Sequence, residues 1–221
     1  MTRTGAAARP QRITDTEGLL EWAELHSRLL TIIAVAIIVV AGGVWFYQKA
    51  HAARARNAAN TLAEAQQAFA SGNLAFAQSD LEKVVSRYGS TEAGRQAQLM
   101  LARVLYDKGQ YQQGIAGLQK LVGSDDPIVV PVAYNLMGNG YEQSGKFADA
   151  AAAYRKAADA AKYPAERDSY LANAARALTS AGKTAEAKEI WSKLAADPAS
   201  PVNAEARVRL GELEVHAAKQ S

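Results

Sequence analysis

From Leu29 to Gln48 the chain reads LLTIIAVAIIVVAGGVWFYQ, twenty residues without a charge, bounded by Arg28 and Lys49. A helix of that length is about 30 Å long, the thickness of a bilayer's hydrocarbon core. The pattern predicts one transmembrane helix over 29–48. Trp45, Phe46 and Tyr47 close the run, where amphipathic rings favour the headgroup layer. A buried helix in a soluble core is seldom this long or apolar all round. A cleaved signal peptide is the other reading, because Ala50-His51-Ala52 has a small-x-small pattern. Against it, the twenty-eight residues before the run carry four acids, and the run exceeds the usual h-region. Thr31 is the one polar residue before the aromatic end. With nothing ionisable to line a pathway, the run reads as an anchor.

Residues 1–13 are small and polar with no apolar period, and predict a disordered tail. Thr14 and Glu17 have the spacing of a capping box, and Leu19, Leu20, Trp22 and Leu25 continue an apolar face, so 14–28 predict a juxtamembrane helix. No glycine or proline falls between Gly43 and Gly72, and the intervening alanines favour helix. The span is therefore expected to run on through a helical connector, 49–58, into a second domain over 59–221.

That domain is periodic. Gly72, Gly109, Gly145 and Gly182 are spaced by 37, 36 and 37 residues, a period that points to a helix-turn-helix solenoid. The clearest copy, YNLMGNGYEQSGKFADAAAAYRKAADAAKYP over 134–164, resembles the tetratricopeptide repeat (TPR) pattern. Tyr134 takes the tryptophan slot and Met137-Gly138 the Leu-Gly slot; Tyr141, Gly145, Ala150, Tyr154, Ala157 and Pro164 follow. Small residues such as Gly138 and Ala150 suit a close helix crossing, and the tyrosines suit the volume between repeats. Around Gly109 the matches are Leu101-Ala102, Leu105, Gly114 and Leu118; around Gly182 they are Leu171, Ala174-Ala175, Leu178, Ala187 and Trp191. The copy around Gly72 is degenerate, keeping Ala65, Phe69, Ala77, Leu81 and Val84. The expected fold is all-α: a transmembrane helix, about four TPR-like repeats, and a capping helix from about Pro201 to Lys219.

Composition narrows the function. The 48 alanines and six prolines fit an almost wholly helical chain. The absence of cysteine removes disulfides, thiolate metal sites and cysteine nucleophiles. Lysine plus arginine exceed aspartate plus glutamate by 25 to 22 without a basic block, which gives no sign of nucleic acid. His26, His51 and His216 lack a metal-ligand spacing, and no phosphate loop, GxSxG or HExxH occurs. Asp125-Asp126 before Pro127 read as a helix cap. Neither an enzyme nor a cofactor is expected.

A TPR solenoid presents the first helices of its repeats along a groove. Counting back from the turn glycines places there Gln66 and Phe69; Gln96, Leu99, Arg103 and Tyr106; Asn135, Asn139 and Gln143; and Ser169, Asn173 and Arg176. Arg103, Asn139 and Arg176 share one slot of successive repeats. Such a row of donors suits an extended peptide backbone or a carboxylate, with Phe69 and Tyr106 offering apolar contact; a merely solvated helix face is the alternative. The TPR clamps for acidic C-terminal tails use lysines where this chain has Leu99 and Ala172.

The layout of tail, single span and compact repeats resembles the bacterial ancillary subunit of the SecYEG translocon. The resemblance implies an inner-membrane protein with a cytoplasmic N-terminus and periplasmic repeats, linking the translocon to chaperones of exported proteins. Charge does not choose the orientation: Arg9, Arg12 and Arg28 precede the span within twenty residues, and Lys49, Arg54 and Arg56 follow it. A structural role in an envelope or cell-division assembly is the alternative function.

Overall fold

Half of the buried apolar positions are alanines, small enough to let helix backbones approach closely. The computed structural model describes residues 26–218, which form nine helices and no strand among the described residues. They are α1 (Ser27–Ala70), α2 (Leu74–Tyr88), α3 (Glu92–Asp107), α4 (Tyr111–Gln119), α5 (Val129–Gln143), α6 (Phe147–Ala160), α7 (Pro164–Ser180), α8 (Thr184–Ala196) and α9 (Asn203–Ala218). The expected tail over 1–13, and the Thr14 capping box and Trp22 of the expected juxtamembrane helix, lie outside the described residues.

The chain divides into two units, Met1–Ala53 and Arg54–Ser221. In the first, the apolar part of α1 keeps Ile32, Ile38, Val39, Val40, Trp45 and Phe46 more than half exposed. The helix is long and apolar enough to cross a bilayer, and its apolar window is unburied among the described residues. At its end Lys49 Nζ sits 4.8 Å from the centre of the Trp45 ring, a cation–π contact.

The second unit is a stack of helix pairs. The end of α1 pairs with α2, α3 with α4, α5 with α6 and α7 with α8, and α9 follows as a last single helix. Each pair reverses at one of the four expected glycines, whose φ values of 74° to 78° are the positive ones among the described residues. Two backbone bonds fix every reversal. At the third, Lys146 N–H donates to Tyr141 O at 2.8 Å and Gly145 N–H to Glu142 O at 2.9 Å. The same two bonds recur around Gly72, Gly109 and Gly182. This is the Schellman closure, in which the left-handed residue turns the last carbonyls of the first helix onto the start of the second.

Side chains then lock pair to pair. Leu62, Ala65, Leu81, Val84, Leu101 and Val104 form the first core cluster. Tyr106, Ile115, Leu118, Ala133 and Leu136 belong to the second, and Tyr154, Ala174, Leu178, Trp191 and Ala206 to the third. Trp191 and Tyr154 are the largest fully buried side chains. Gly138 is the small residue that admits Tyr154: a Cβ there would stand 2.4 Å from Cε1 of that ring. Gly140, whose role is invisible in the repeat pattern, does the same for Tyr106, with a hypothetical Cβ 2.5 Å from its hydroxyl. Asp126 caps α5 as expected, accepting from Ile128 N–H at 3.0 Å and Val129 N–H at 3.1 Å, and pairs with Arg95 Nε at 3.1 Å. Those two backbone bonds, ahead of the arginine, hold its carboxyl below the usual range.

Gly138→Ala is expected to lower stability by about 1–3 kcal/mol, because the ring it meets cannot move without breaking the core. Gly211→Ala, on a helix with open space around it, is expected to raise stability by up to about 1 kcal/mol. Thermal unfolding of the two variants beside the wild type reads both signs.

Candidate functional site

The first helices of the pairs lie side by side, and polar side chains projecting from their shared face touch across repeats. Asn173 Nδ2 on α7 donates to Asn135 Oδ1 on α5 at 3.1 Å. Arg176, one turn further along α7, grips Glu205 of α9 with Nε–Oε1 at 2.8 Å and Nη2–Oε2 at 2.9 Å. Tyr154 Oη, reaching through from α6, lies 2.6 Å from Asn139 Oδ1 and 2.8 Å from Glu142 Oε2. Its single proton faces two acceptor oxygens. Burial first, then Glu142, pushes that hydroxyl's pKa far up, so it stays a neutral donor.

A recess of about 360 Å³ opens on this face where the ends of α1, α3 and α5 converge. It gathers six of the sequence-derived groove residues: Phe69, Arg103, Tyr106, Asn135, Asn139 and Gln143. Asp107 and Leu136 complete its wall. Arg103 is exposed and makes no hydrogen bond or ion pair among the described residues. Gln143 is likewise exposed and unspent. Tyr106 differs from expectation in degree. It is 4 % exposed, its hydroxyl donates to Leu136 O at 3.1 Å, and it floors the recess more than it offers a free ring. Burial raises its pKa well above the ordinary value.

The remaining predicted residues fall elsewhere. Gln66 and Gln96 line a separate recess of about 400 Å³ with Leu62, Thr91 and Glu92, and Gln96 donates to Glu92 Oε1 at 3.2 Å. Leu99 is half-buried against the second core cluster. Ser169 spends its hydroxyl on Ala165 O at 2.8 Å. Arg176 borders a third recess of about 310 Å³ over Trp191, with Glu142, Arg209 and Glu212. The slot shared by Arg103, Asn139 and Arg176 is therefore not a uniform row of free donors. Arg176 is already satisfied by Glu205, a residue that the repeat offsets did not single out because it lies on the final, unpaired helix. Arg103 alone of the two arginines is open to a ligand.

A family model described as a tetratricopeptide repeat-like domain matches the chain twice, over residues 21–133 and 58–172. The chain belongs to that family. Among solved structures, TPR-like repeats from a putative kinesin light chain of Podosopora anserina superpose with a TM-score of 0.58 at 18% identity, covering 75% of this chain and 89% of that one. A point variant of the same repeats gives 0.58 and 18% as well, with 75% and 88% covered. These likenesses show the TPR-like fold. Comparison with curated proteins found no match. A TPR-like fold is that of a protein-binding scaffold, so protein partners follow from it in general terms.

The Arg176–Glu205 contact carries a pH signature. Its hydrogen bond, ahead of the arginine's charge, holds the Glu205 carboxyl below its ordinary 4.5, and the same bond raises the Arg176 guanidinium. A depressed carboxyl stabilises the fold above its unfolded value and loses that contribution as pH falls through its folded value. The stability margin of wild type over Glu205→Gln is thus expected to hold from neutral pH down to about 4.5 and to close below it. An acid titration of the thermal midpoints of both chains measures this; a margin unchanged at about pH 3 contradicts it.

Proposed function

We propose that this chain is a membrane-tethered TPR adaptor without catalytic activity that binds an extended segment of a partner protein in the recess of Arg103, Asn135, Asn139 and Gln143. The observation that carries this reading is that the recess sets the unspent side chains of Arg103 and Gln143 beside Phe69 and over a closed Tyr106 floor, whereas the equivalent arginine one pair beyond α5 is consumed within the chain. An extended segment brings main-chain groups at regular intervals and needs only such fixed partners and an apolar foothold.

The tether is the apolar part of α1. Its exposed Leu29, Ile32, Ile37 and Ile38 find their natural solvent in lipid, with Trp45, Tyr47 and Lys49 at the headgroup level. The anchor and the compact repeats together support the finer assignment drawn from resemblance: an ancillary factor of the secretory translocon in a bacterial inner membrane, N-terminus cytoplasmic and repeats periplasmic, handing exported chains to chaperones.

A photo-crosslinking residue in place of Gln143, in cells expressing the membrane-bound chain, is expected to join translocon subunits, periplasmic chaperones or exported chains. The same residue in place of Lys120, at the end of α4, is expected to join none of them. Crosslinks confined to cytoplasmic proteins, or equal from both positions, would overturn the assignment.

A further inference from the structure

Hydrogen bonds link α9 to α5 by way of α7, and Arg176 sets their direction because it donates both ways, to Glu205 and to Asn173. A carboxylate accepts and never donates; a guanidinium donates and never accepts. Glu205 holds Arg176 by two bonds, leaving Arg176 Nη1 to donate to Asn173 Oδ1 at 2.5 Å. With its oxygen turned toward Arg176, Asn173 presents its N–H2 group to Asn135, and Asn173 Nδ2 lies 3.1 Å from Asn135 Oδ1. Asn135 is then left with its own N–H2 group, which makes no bond among the described residues, at the wall of the Arg103 recess.

An isolated asparagine amide presents oxygen or nitrogen with nearly equal ease. Here that freedom is removed from a distance by residues that do not line the recess. We propose that the C-terminal helix α9 sets the hydrogen-bond polarity of the recess: Glu205, acting through Arg176 and Asn173, holds Asn135 with its N–H2 group outward, so that this point donates to a main-chain carbonyl oxygen of the bound segment. The inference rests on the reading of the recess as the binding site. Arg176 and Glu205 are in it positioning residues, and neither touches the segment.

The polarity is a property of the unliganded protein, so its test does not depend on any partner being found. In the full chain in detergent micelles, labelled with 15N at asparagine, hydrogen exchange of the side-chain amides separates the two orientations. The Asn173 amide is expected to exchange about threefold to tenfold more slowly than that of Asn135, as a donated bond of ordinary strength requires. Arg176→Lys keeps a donor-only group and is expected to preserve this order. Arg176→Gln, whose amide can instead turn its carbonyl oxygen toward Asn173 and accept from the Asn173 N–H2 group, is expected to abolish it, although both substitutions lose the two-bond grip on Glu205. Glu205→Ala, which releases the guanidinium, is expected to lower the protection of Asn173 as well. A slower Asn135 amide in the wild type, equal behaviour of the Lys and Gln variants, or full protection in Glu205→Ala would each overturn the proposal. Loss of peptide binding with the exchange order intact would instead count against the recess as the site and leave the polarity standing.

Discussion

The geometry of the repeat unit rests on a left-handed residue at the same place in each helix pair. Without it the first helix of a pair could not close its last carbonyls within two residues, and the second helix would leave at an angle that exposes its apolar stripe. Any side chain other than glycine carries a steric cost of about 1–2 kcal/mol there, and four such positions in one stack leave little latitude for drift. Because Gly72, Gly109, Gly145 and Gly182 all hold φ near 75°, each pair is a near copy of the last, and the first helices come into line. That alignment, and not any single side chain, lets Asn135 meet Asn173 and Arg176 meet Glu205 across neighbouring pairs.

Aligned first helices make a continuous face, but local composition decides where it is open. At the α7–α9 end the face is closed by the chain's own charges, with Glu205 shared between Arg176 and, at 3.7 Å, Arg209. These side chains are about a third exposed or more, so the pair owes its importance to the geometry it fixes more than to its strength. At the α1–α3–α5 convergence Asp107 stands in the wall, yet no acid pairs with Arg103 among the described residues, and the amide of Gln143 beside it is unspent. The molecule thus carries one filled and one vacant version of the same arginine slot.

Much of this was legible in the residues. The glycine period marked the reversal within every pair, and the small residues at Ala77, Gly114, Ala150 and Ala187 marked where second helices press against first ones. Counting back from the glycines put six residues on what proved to be one recess, because a fixed offset from a fixed turn is a fixed face of a helix. What the offsets could not reveal was who pairs with whom. Asn135 and Asn173 are 38 residues apart, and whether they touch depends on the rotation from one pair to the next, which no local pattern encodes. Glu205 stood on a helix without a turn glycine to count from. Gly140 makes its close approach to Tyr106 of the preceding repeat, so a motif written within one repeat has no slot for it. The apolar run of α1 was plain from composition, since twenty uncharged residues need no partner to be recognised.

The claim that the vacant recess is where partner segments bind can be measured directly. A random peptide library displayed on phage and selected against the full chain in detergent should yield peptides whose affinity falls about tenfold or more when Arg103 and Gln143 are both replaced by alanine, the loss of one charge-assisted bond or two ordinary ones. Replacing Glu82 and Lys120, which border a recess between α2 and α4, should leave that affinity unchanged. Peptides that ignore the Arg103 and Gln143 substitutions, or that depend instead on Glu82 and Lys120, would contradict the account.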